Sequence, residues 1–186
     1  MTASPREQLD AGIRYLVDER RIVSGIAGSF GGLAGGERFC HGNTREVRLT
    51  DDGFVPDPVA MDKNSIFDLA SVTKLFTCIA ILQLVERGRL SLETTVGQID
   101  KRFPHIPDVT IDGLLSFRSA LQTTARIDAA ASAGEAEQLL FDIRPGPAPK
   151  RKFYTDMGAM VLKYLVESAS GRPFFEYLQE NVLRPL

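Results

Sequence analysis

The chain has 186 residues, of which 44% are hydrophobic and 25% charged, and its net charge is −2 at pH 7. These values are typical of a globular protein with a real core and indicate no basic surface for nucleic acid. No apolar run is long enough to cross a membrane, and the polar residues 1–7 lack the apolar region of a secretory signal. We therefore expect a cytoplasmic protein with neither nucleic acid nor a membrane as a partner.

The first part of the chain predicts a helix followed by a hairpin. Ser4-Pro5-Arg6-Glu7 combines a capping box with proline at the first helical position, which predicts a helix that ends near Arg20. Residues 22–30 are predicted to form a strand, residues 34–37 a turn and residues 38–42 the returning strand.

The next stretch predicts little regular structure. Residues 43–64 are rich in Asp and Pro and are predicted to be a connection, with a short strand at residues 46–49. Residues 65–67 are predicted to form another short strand, which leads into a long apolar helix.

That helix is predicted to run from Ser71 to Arg87, with Gly88 directly after its end and Leu90 as a hydrophobic contact beyond it. It is apolar on nearly every side, which predicts a helix buried all round. Further elements are expected at a short helix over residues 96–99, a helix capped by Thr110 that holds Leu114 and Leu115, a helix over residues 129–143, a proline-rich loop over residues 144–152, and two helices over residues 157–170 and 173–182.

A Ser-x-x-Lys pair opens the apolar helix. Positions three apart lie on one helix face, so Ser71 and Lys74 can meet, and a lysine can activate a serine without histidine. A first-turn serine also lies among free backbone N–H groups, which favour a developing oxyanion. Desolvation lowers the pKa of a lysine, so Lys74 is a candidate base. Ser-x-x-Lys also arises by chance, and the pair alone is more often a helix surface than an active site.

A tyrosine precedes the helix that is predicted from Met157. In the segment of residues 152–158, Tyr154 can point its phenol into a site, and a phenol beside a lysine can act as a base. Taken alone, Tyr154 is a packing residue; its combination with Ser71 and Lys74 favours catalysis.

Four segments of the chain together resemble the serine β-lactamase-related family of class C β-lactamases, D,D-peptidases and esterases. They are residues 67–74, 84–92, 110–121 and the stretch that runs from Tyr154-Thr155-Asp156 to Arg184-Pro185-Leu186. The resemblance implies an α+β fold of the β-lactamase/transpeptidase type, with a helical region and an antiparallel sheet flanked by helices.

By the same resemblance, Ser71 is the acylated nucleophile, and Lys74 and Tyr154 handle its proton. The implied function is a serine hydrolase or transacylase that takes a small acyl substrate and needs no cofactor. The alternative is a non-catalytic binding or scaffold relative with the same fold, or an inactive fragment.

Two departures from the family pattern concern the substrate. Asp156 stands where the family usually has asparagine, and a carboxylate cannot donate the hydrogen bond of an amide. Ester, thioester or amide acyl transfer is therefore favoured over β-lactam hydrolysis. Phe117, Arg118 and Ser119 replace a more usual His-Thr-Ser, so Phe117 and Ser119 are candidate substrate contacts. The alternative is that Asp156 caps the next helix, a position that aspartate favours, and the two roles are compatible.

The resemblance covers the amino-terminal part of the family's domain, with the hairpin over about residues 22–42 and the helical region over about residues 65–186. We expect the carboxy-terminal half of the sheet to be absent, and a complementing carboxy-terminal chain or fragment to supply it.

Other chemistries find little support. The two histidines, His41 and His105, stand outside any metal-binding motif, so no metal site is expected. Cys40 and Cys78 are too few for a disulfide scaffold, and we expect Cys78 in the core.

Overall fold

The computed structural model describes residues 3–32, 35–147 and 154–186. The chain divides into two compact units, which we call the sheet unit, Met1–Asp68, and the helical unit, Leu69–Leu186. Among the helices of the described ranges, none is long and apolar enough to cross a membrane.

The sheet unit begins with the predicted helix. α1, Pro5–Arg14, continues as one π-helical turn, Tyr15–Glu19. The capping box is present, because Ser4 N donates to Glu7 Oε2 at 2.7 Å and Glu7 N donates to Ser4 Oγ at 3.2 Å. These two bonds satisfy backbone N–H groups that have no carbonyl partner at the start of a helix.

Three antiparallel strands follow, where the sequence predicts two and a connection. They are β1, Gly25–Gly32; β2, Gly35–Thr50; and β3, Gly53–Ala60, in the order β1-β2-β3. The returning strand therefore runs far beyond residues 38–42, and the short strand predicted at residues 46–49 is part of it. The rest of the predicted connection over residues 43–64 is wrong, because most of it is strand. The predicted turn over residues 34–37 is also wrong, since Gly35 pairs with Gly32 within the ladder; Ala34 lies outside the described residues.

The missed third strand has a physical explanation. Pro56 and Pro58 suggested a loop, but β3 is the outer strand of this sheet, where a proline need not donate to the ladder. The turn before β3 holds Asp51 and Asp52, and Gly53, the first residue of β3, has a φ of +109°, which favours glycine. The Asp-Gly pair between two runs of alternating residues is the signal that predicts this hairpin.

The helical unit holds six α-helices in its described residues. They are α2, Thr73–Glu86; α3, Val96–Ile99; α4, Ile111–Leu115; α5, Ala133–Phe141; α6, Met157–Ser170; and α7, Phe174–Leu178, which continues as a π-helical turn, Gln179–Leu183. A two-residue pairing joins β4, Leu121–Gln122, to β5, Arg144–Pro145, and Ile127–Ala129 forms a 3-10 turn.

The predicted helices of this unit are largely confirmed. α6 has the predicted bounds and ends at Gly171, and Thr110 Oγ1 accepts from Gly113 N at 3.1 Å as the cap of α4. α5 begins at Ala133, four residues later than predicted, because Ser132 caps it. The short strand predicted over residues 65–67 is wrong, since that segment has no regular structure.

The hydrophobic core of the helical unit forms where α2 packs against α6. Ala80 and Ile81 of α2 and Val161 and Leu165 of α6 are each 0% exposed. Burial of one such aliphatic side chain stabilises the fold by about 1.5–3 kcal/mol. The packing fixes the start of α2 relative to the start of α6, which is where the candidate site lies.

The carboxyl end of α2 is closed as predicted. Gly88 has a φ of +68°, Gly88 N donates to Val85 O at 2.9 Å, and Arg89 N donates to Leu84 O at 2.9 Å. These two bonds form a Schellman motif, which satisfies carbonyls that the last turn leaves without a helical partner. Leu90 packs against the core, as expected.

α2 is not buried all round, contrary to the prediction. Leu75, Ile79 and Leu82 lie on one face and are 60%, 42% and 49% exposed. We call these three residues the α2 stripe. A helix that is apolar on every side has no amphipathic pattern, so its sequence does not show which face is buried; only packing decides this. Cys78 is half-buried rather than part of the core, and both cysteines are free thiols.

Candidate active site

The predicted serine and lysine meet at the amino-terminal end of α2. Ser71 lies in a 3-10 turn, Ala70–Val72, and Lys74 in the first turn of the α-helix that follows. Lys74 Nζ donates to Ser71 Oγ at 3.0 Å. The helix therefore begins two residues later than predicted, but the spacing of three still brings the two side chains together.

Free backbone N–H groups were expected around Ser71, but the 3-10 turn uses two of them in hydrogen bonds. Val72 N donates to Leu69 O at 2.9 Å, and Thr73 N donates to the carbonyls of Ala70 and Ser71. These two N–H groups therefore already have carbonyl acceptors and are not the free donors that were expected.

Asp156 forms an ion pair with Lys74. The carboxylate contacts Lys74 Nζ, whose side chain is only 14% exposed. Asp156 occupies the N-cap position of α6, but its side chain makes no capping hydrogen bond; Thr155 Oγ1 instead accepts from Met157 N at 3.3 Å. The capping interpretation is therefore right about the position of Asp156 and wrong about the role of its side chain.

The charge of Lys74 is stabilised, which overturns one prediction. The hydrogen bond to Asp156 raises the pKa of Lys74, and burial, which lowers it, is the smaller effect. From the apolar helix alone, burial was expected to lower the pKa of Lys74. A raised pKa favours the ammonium form of Lys74, which donates hydrogen bonds and has no free acceptor for a proton.

Tyr154 completes the cluster. Hydrogen bonding with Ser71, and then with Lys74, lowers the pKa of Tyr154. Lys74 Nζ also lies 5.0 Å from the centre of the Tyr154 ring. The preceding residues of the predicted segment, Lys152 and Phe153, lie outside the described residues. The structure thus brings Ser71, Lys74, Tyr154 and Asp156 together.

Of the two predicted substrate contacts in the loop after α4, one borders this cluster. The ring of Phe117 stacks on the ring of Tyr154, with 5.1 Å between the ring centres and 30° between the planes. Ser119 instead packs on α4, where its Oγ would lie 2.6 Å from a Cβ placed on Gly113. Phe117 is therefore a neighbour of the candidate site, whereas Ser119 supports the loop.

Two strained residues flank the cluster, and the sequence predicts neither of them. Ala70, directly before Ser71, has a φ of +44°, and Phe117 has a φ of +55°. A left-handed conformation costs a residue with a Cβ about 1–3 kcal/mol, and such residues concentrate at functional sites. Glycine would have been the signal for such a conformation, and neither position carries it.

Two cavities adjoin the Lys74–Asp156 pair. The smaller, of ≈ 370 Å³, lies among α2, α5, α6 and α7. The larger, of ≈ 800 Å³, lies between the start of α6 and the segment of residues 123–128. Asp156 and Met160 line both, so the carboxylate of Asp156 stands at the boundary between the two.

The histidines contact carboxylates elsewhere. His41 Nε2 lies 2.8 Å from Asp18 in the sheet unit, and His105 Nε2 lies 2.9 Å from Asp142 in the helical unit. Within the described part of the chain, no group of three or more His, Cys, Asp or Glu side chains could hold a metal ion.

Most of the chain is similar to a known protein family. The family model described as Beta-lactamase matches residues 46–186. A putative D-alanyl-D-alanine carboxypeptidase of Escherichia coli O157:H7 is 28% identical over 147 residues, which cover 69% of this chain and 34% of that protein. The chain thus spans about a third of the length of this curated relative.

Two solved structures share the fold. The octameric penicillin-binding protein homologue from Pyrococcus abyssi has a TM-score of 0.76 at 24% identity, over 98% of this chain and 43% of that chain. A class C beta lactamase from Rhodobacter sphaeroides has a TM-score of 0.70 at 18% identity, over 94% of this chain and 47% of that chain.

Proposed function

Because the chain belongs to the beta-lactamase family and has its α+β fold, we propose that it transfers acyl groups through an acyl-enzyme on Ser71. The observation that carries this proposal is the 3.0 Å hydrogen bond from Lys74 Nζ to Ser71 Oγ, with the phenol of Tyr154 bonded to both. A nucleophile within hydrogen-bond reach of a base that a third group orients is the arrangement that covalent catalysis needs.

We assign the role of base to Tyr154. Lys74 is held as an ammonium group by Asp156, whereas hydrogen bonds lower the pKa of the Tyr154 phenol. As Ser71 Oγ attacks the acyl carbonyl and the Oγ–C bond forms, the serine proton passes to the Tyr154 phenolate. The proton then moves to the departing alcohol, thiol or amine as its bond to the carbonyl breaks.

Deacylation repeats these steps with a new nucleophile. Water, an alcohol or an amine gives its proton to Tyr154 while it attacks the acyl carbon. The bond to Ser71 Oγ breaks, and the proton returns to Ser71. Water gives hydrolysis, and an alcohol or amine gives acyl transfer. Lys74 stays charged throughout and stabilises the phenolate of Tyr154.

The substrate is proposed to be an ester, thioester or amide. Asp156 presents an exposed carboxylate at the boundary of both cavities and is paired to Lys74. An ionised carboxylate only accepts hydrogen bonds. A substrate that requires an amide donor at this position, as β-lactam recognition does in the family, is therefore disfavoured.

We also propose that, in the whole protein, a carboxy-terminal segment or chain supplies the rest of the sheet. The surface that we propose for it is the α2 stripe, because apolar side chains gain about 25 cal/mol for each Å² that is removed from water.

Intact mass after treatment with a fluorophosphonate probe tests the nucleophile. The chain itself and the control Ser65→Ala are expected to gain one adduct, in which Ser71 Oγ bonds to phosphorus and fluoride leaves. Ser71→Ala is expected to gain none. An unmodified parent chain would favour the non-catalytic alternative, and an adduct that persists in Ser71→Ala would place the nucleophile elsewhere.

A further inference from the structure

The smaller cavity lies directly beside the proposed nucleophile. Its volume of ≈ 370 Å³ falls within the range of about 300–1,000 Å³ for small-molecule sites. Ala70, the residue before Ser71, forms part of its wall, and so do Lys74 and Asp156. A group attached to a carbonyl at Ser71 can therefore enter this cavity past the Lys74–Asp156 pair.

The charged groups in the wall are already paired. Lys74 binds Asp156, and Lys163 Nζ lies 3.0 Å from Glu167 and 3.8 Å from the ring centre of Tyr164. Each ammonium group thus has a carboxylate partner, and Lys163 has an aromatic face as well. A charged ligand would have to displace one of these pairs, so the wall favours a neutral ligand.

The rest of the wall is largely apolar. Ala159 and Met160 come from α6, Leu140 from α5 and Phe174 from α7. Leu140 and Phe174 are 6% and 5% exposed, so packing against the core holds them in place. Methionine adapts to ligands of different shape. Thr73 and Thr77 also line the cavity, but most of its remaining surface is apolar and gains free energy from burying hydrocarbon.

We propose that this cavity binds the unbranched aliphatic chain of the acyl group, so that straight-chain acyl esters or thioesters longer than acetyl are the substrates. The inference rests on the proposed function, because the acyl carbonyl has to lie at Ser71. The larger cavity differs in that its wall includes the Arg126–Asp128 ion pair. It is therefore a suitable control, since an alkyl chain gains less beside exposed charges.

Binding without turnover is the first test. Ser71→Ala, labelled with ¹³C at its alanine and methionine methyl groups, is titrated with hexanamide and with acetamide. Hexanamide is expected to shift the Ala159 methyl resonance saturably, and acetamide much less. Met157 lines only the larger cavity, so its methyl resonance is the internal reference. Failure of hexanamide to shift Ala159 saturably would overturn the inference.

A cavity-filling variant makes the test specific. Ala159→Leu in the Ser71→Ala background is expected to abolish the hexanamide shift at Met160. Ala125→Leu, which places the same side chain in the larger cavity, is expected to retain it. If Ala159→Leu does not fold, Ala159→Val is the smaller change. Equal binding in the Ala159 and Ala125 variants would refute this location of the site.

Turnover gives the second test. With Ser71 intact, kcat/KM for p-nitrophenyl esters from acetate to decanoate is expected to rise about fourfold per methylene, the equivalent of about 0.8 kcal/mol, until the cavity is full. Ala159→Leu should end the rise at a shorter chain. A flat profile refutes the acyl pocket but leaves acyl transfer standing, whereas chain binding with no turnover refutes acyl transfer but leaves the pocket.

Discussion

The buried hydrophobic cluster lies entirely within the helical unit, whereas the described part of the sheet unit buries only Ile13 and Val17 among its hydrophobic residues. In the sheet unit, large apolar side chains such as Leu49 and Phe54 are 68% and 74% exposed. The helical unit is therefore stabilised by packing, and the sheet unit mainly by its backbone ladder, a weaker source of stability for three strands.

The difference bears on function, because every candidate site residue belongs to the helical unit. Ser71, Lys74, Tyr154 and Asp156 are held at the starts of α2 and α6, and both helices contribute fully buried side chains to the core. A catalytic arrangement needs side chains that are fixed within fractions of an ångström, which a packed helix pair provides.

The largest effect is expected at the proposed base. Tyr154→Phe removes the hydroxyl that takes the serine proton, and kcat/KM is expected to fall by about 10²- to 10⁴-fold. Tyr15→Phe makes the same change in the sheet unit and should leave kcat/KM unaltered. Both are measured by ester hydrolysis, with circular dichroism to verify folding. A loss below about tenfold for Tyr154→Phe would exclude Tyr154 as the base.

The next largest effect is on the free energy of unfolding, which should depend on the unit in which a leucine is truncated. Leu165→Ala, at a side chain that is 0% exposed, is expected to reduce the free energy of unfolding by about 2–5 kcal/mol. Leu49→Ala, at an exposed strand position, should change it by less than about 0.5 kcal/mol. Urea denaturation measures both. Similar costs for the two variants would show that the sheet unit also has a core.

The pH profile of kcat/KM should change when the carboxylate of Asp156 is removed, but not when that of Asp57 is removed. Asp156→Asn removes the main cause that raises the pKa of Lys74, and also a charge that raises the pKa of Tyr154. Both pKa values should fall. The rising limb of the kcat/KM profile, where Tyr154 loses its proton, and the falling limb, where Lys74 loses its own, should then both move to lower pH.

The matched control for this variant lies in the sheet unit. Asp57 pairs with Arg45 at 2.6 Å, and Asp57→Asn should leave the pH profile in place. Lys163 also lines the smaller cavity, and it keeps its partner Glu167 in both variants. A change in the pH profile of Asp156→Asn is therefore not attributed to Lys163. Rising limbs that coincide in Asp156→Asn and the parent chain would contradict the assignment of Tyr154 as the base.

The smallest effects concern single glycines, and they should differ in sign between the units. Gly88→Ala forces a residue with a Cβ to a φ of +68° and is expected to cost about 1 kcal/mol. Gly12→Ala, inside α1 with nothing within 4 Å of the new Cβ, should stabilise by about 0.4–1 kcal/mol. Thermal unfolding measures both. A destabilised Gly12→Ala would mean that α1 needs the flexibility of glycine.

Local signals in the sequence predicted several helix ends in both units. Ser4 and Glu7, Gly88 and Gly171 mark helix ends through the chemistry of caps, which acts between residues close in the chain. β3 was missed because proline is read as a strand breaker, and only the pairing shows that the strand lies at the edge of its sheet.

By itself, the sequence determined the Ser71–Lys74 pair, because a spacing of three residues along a helical turn brings two side chains together without help from the rest of the chain. Only the tertiary structure decided the charge of Lys74. Asp156 is distant in sequence and reaches Lys74 because α6 packs against α2, and this pairing outweighs the effect of burial. An interaction between distant segments depends on packing, which no local pattern of residues records.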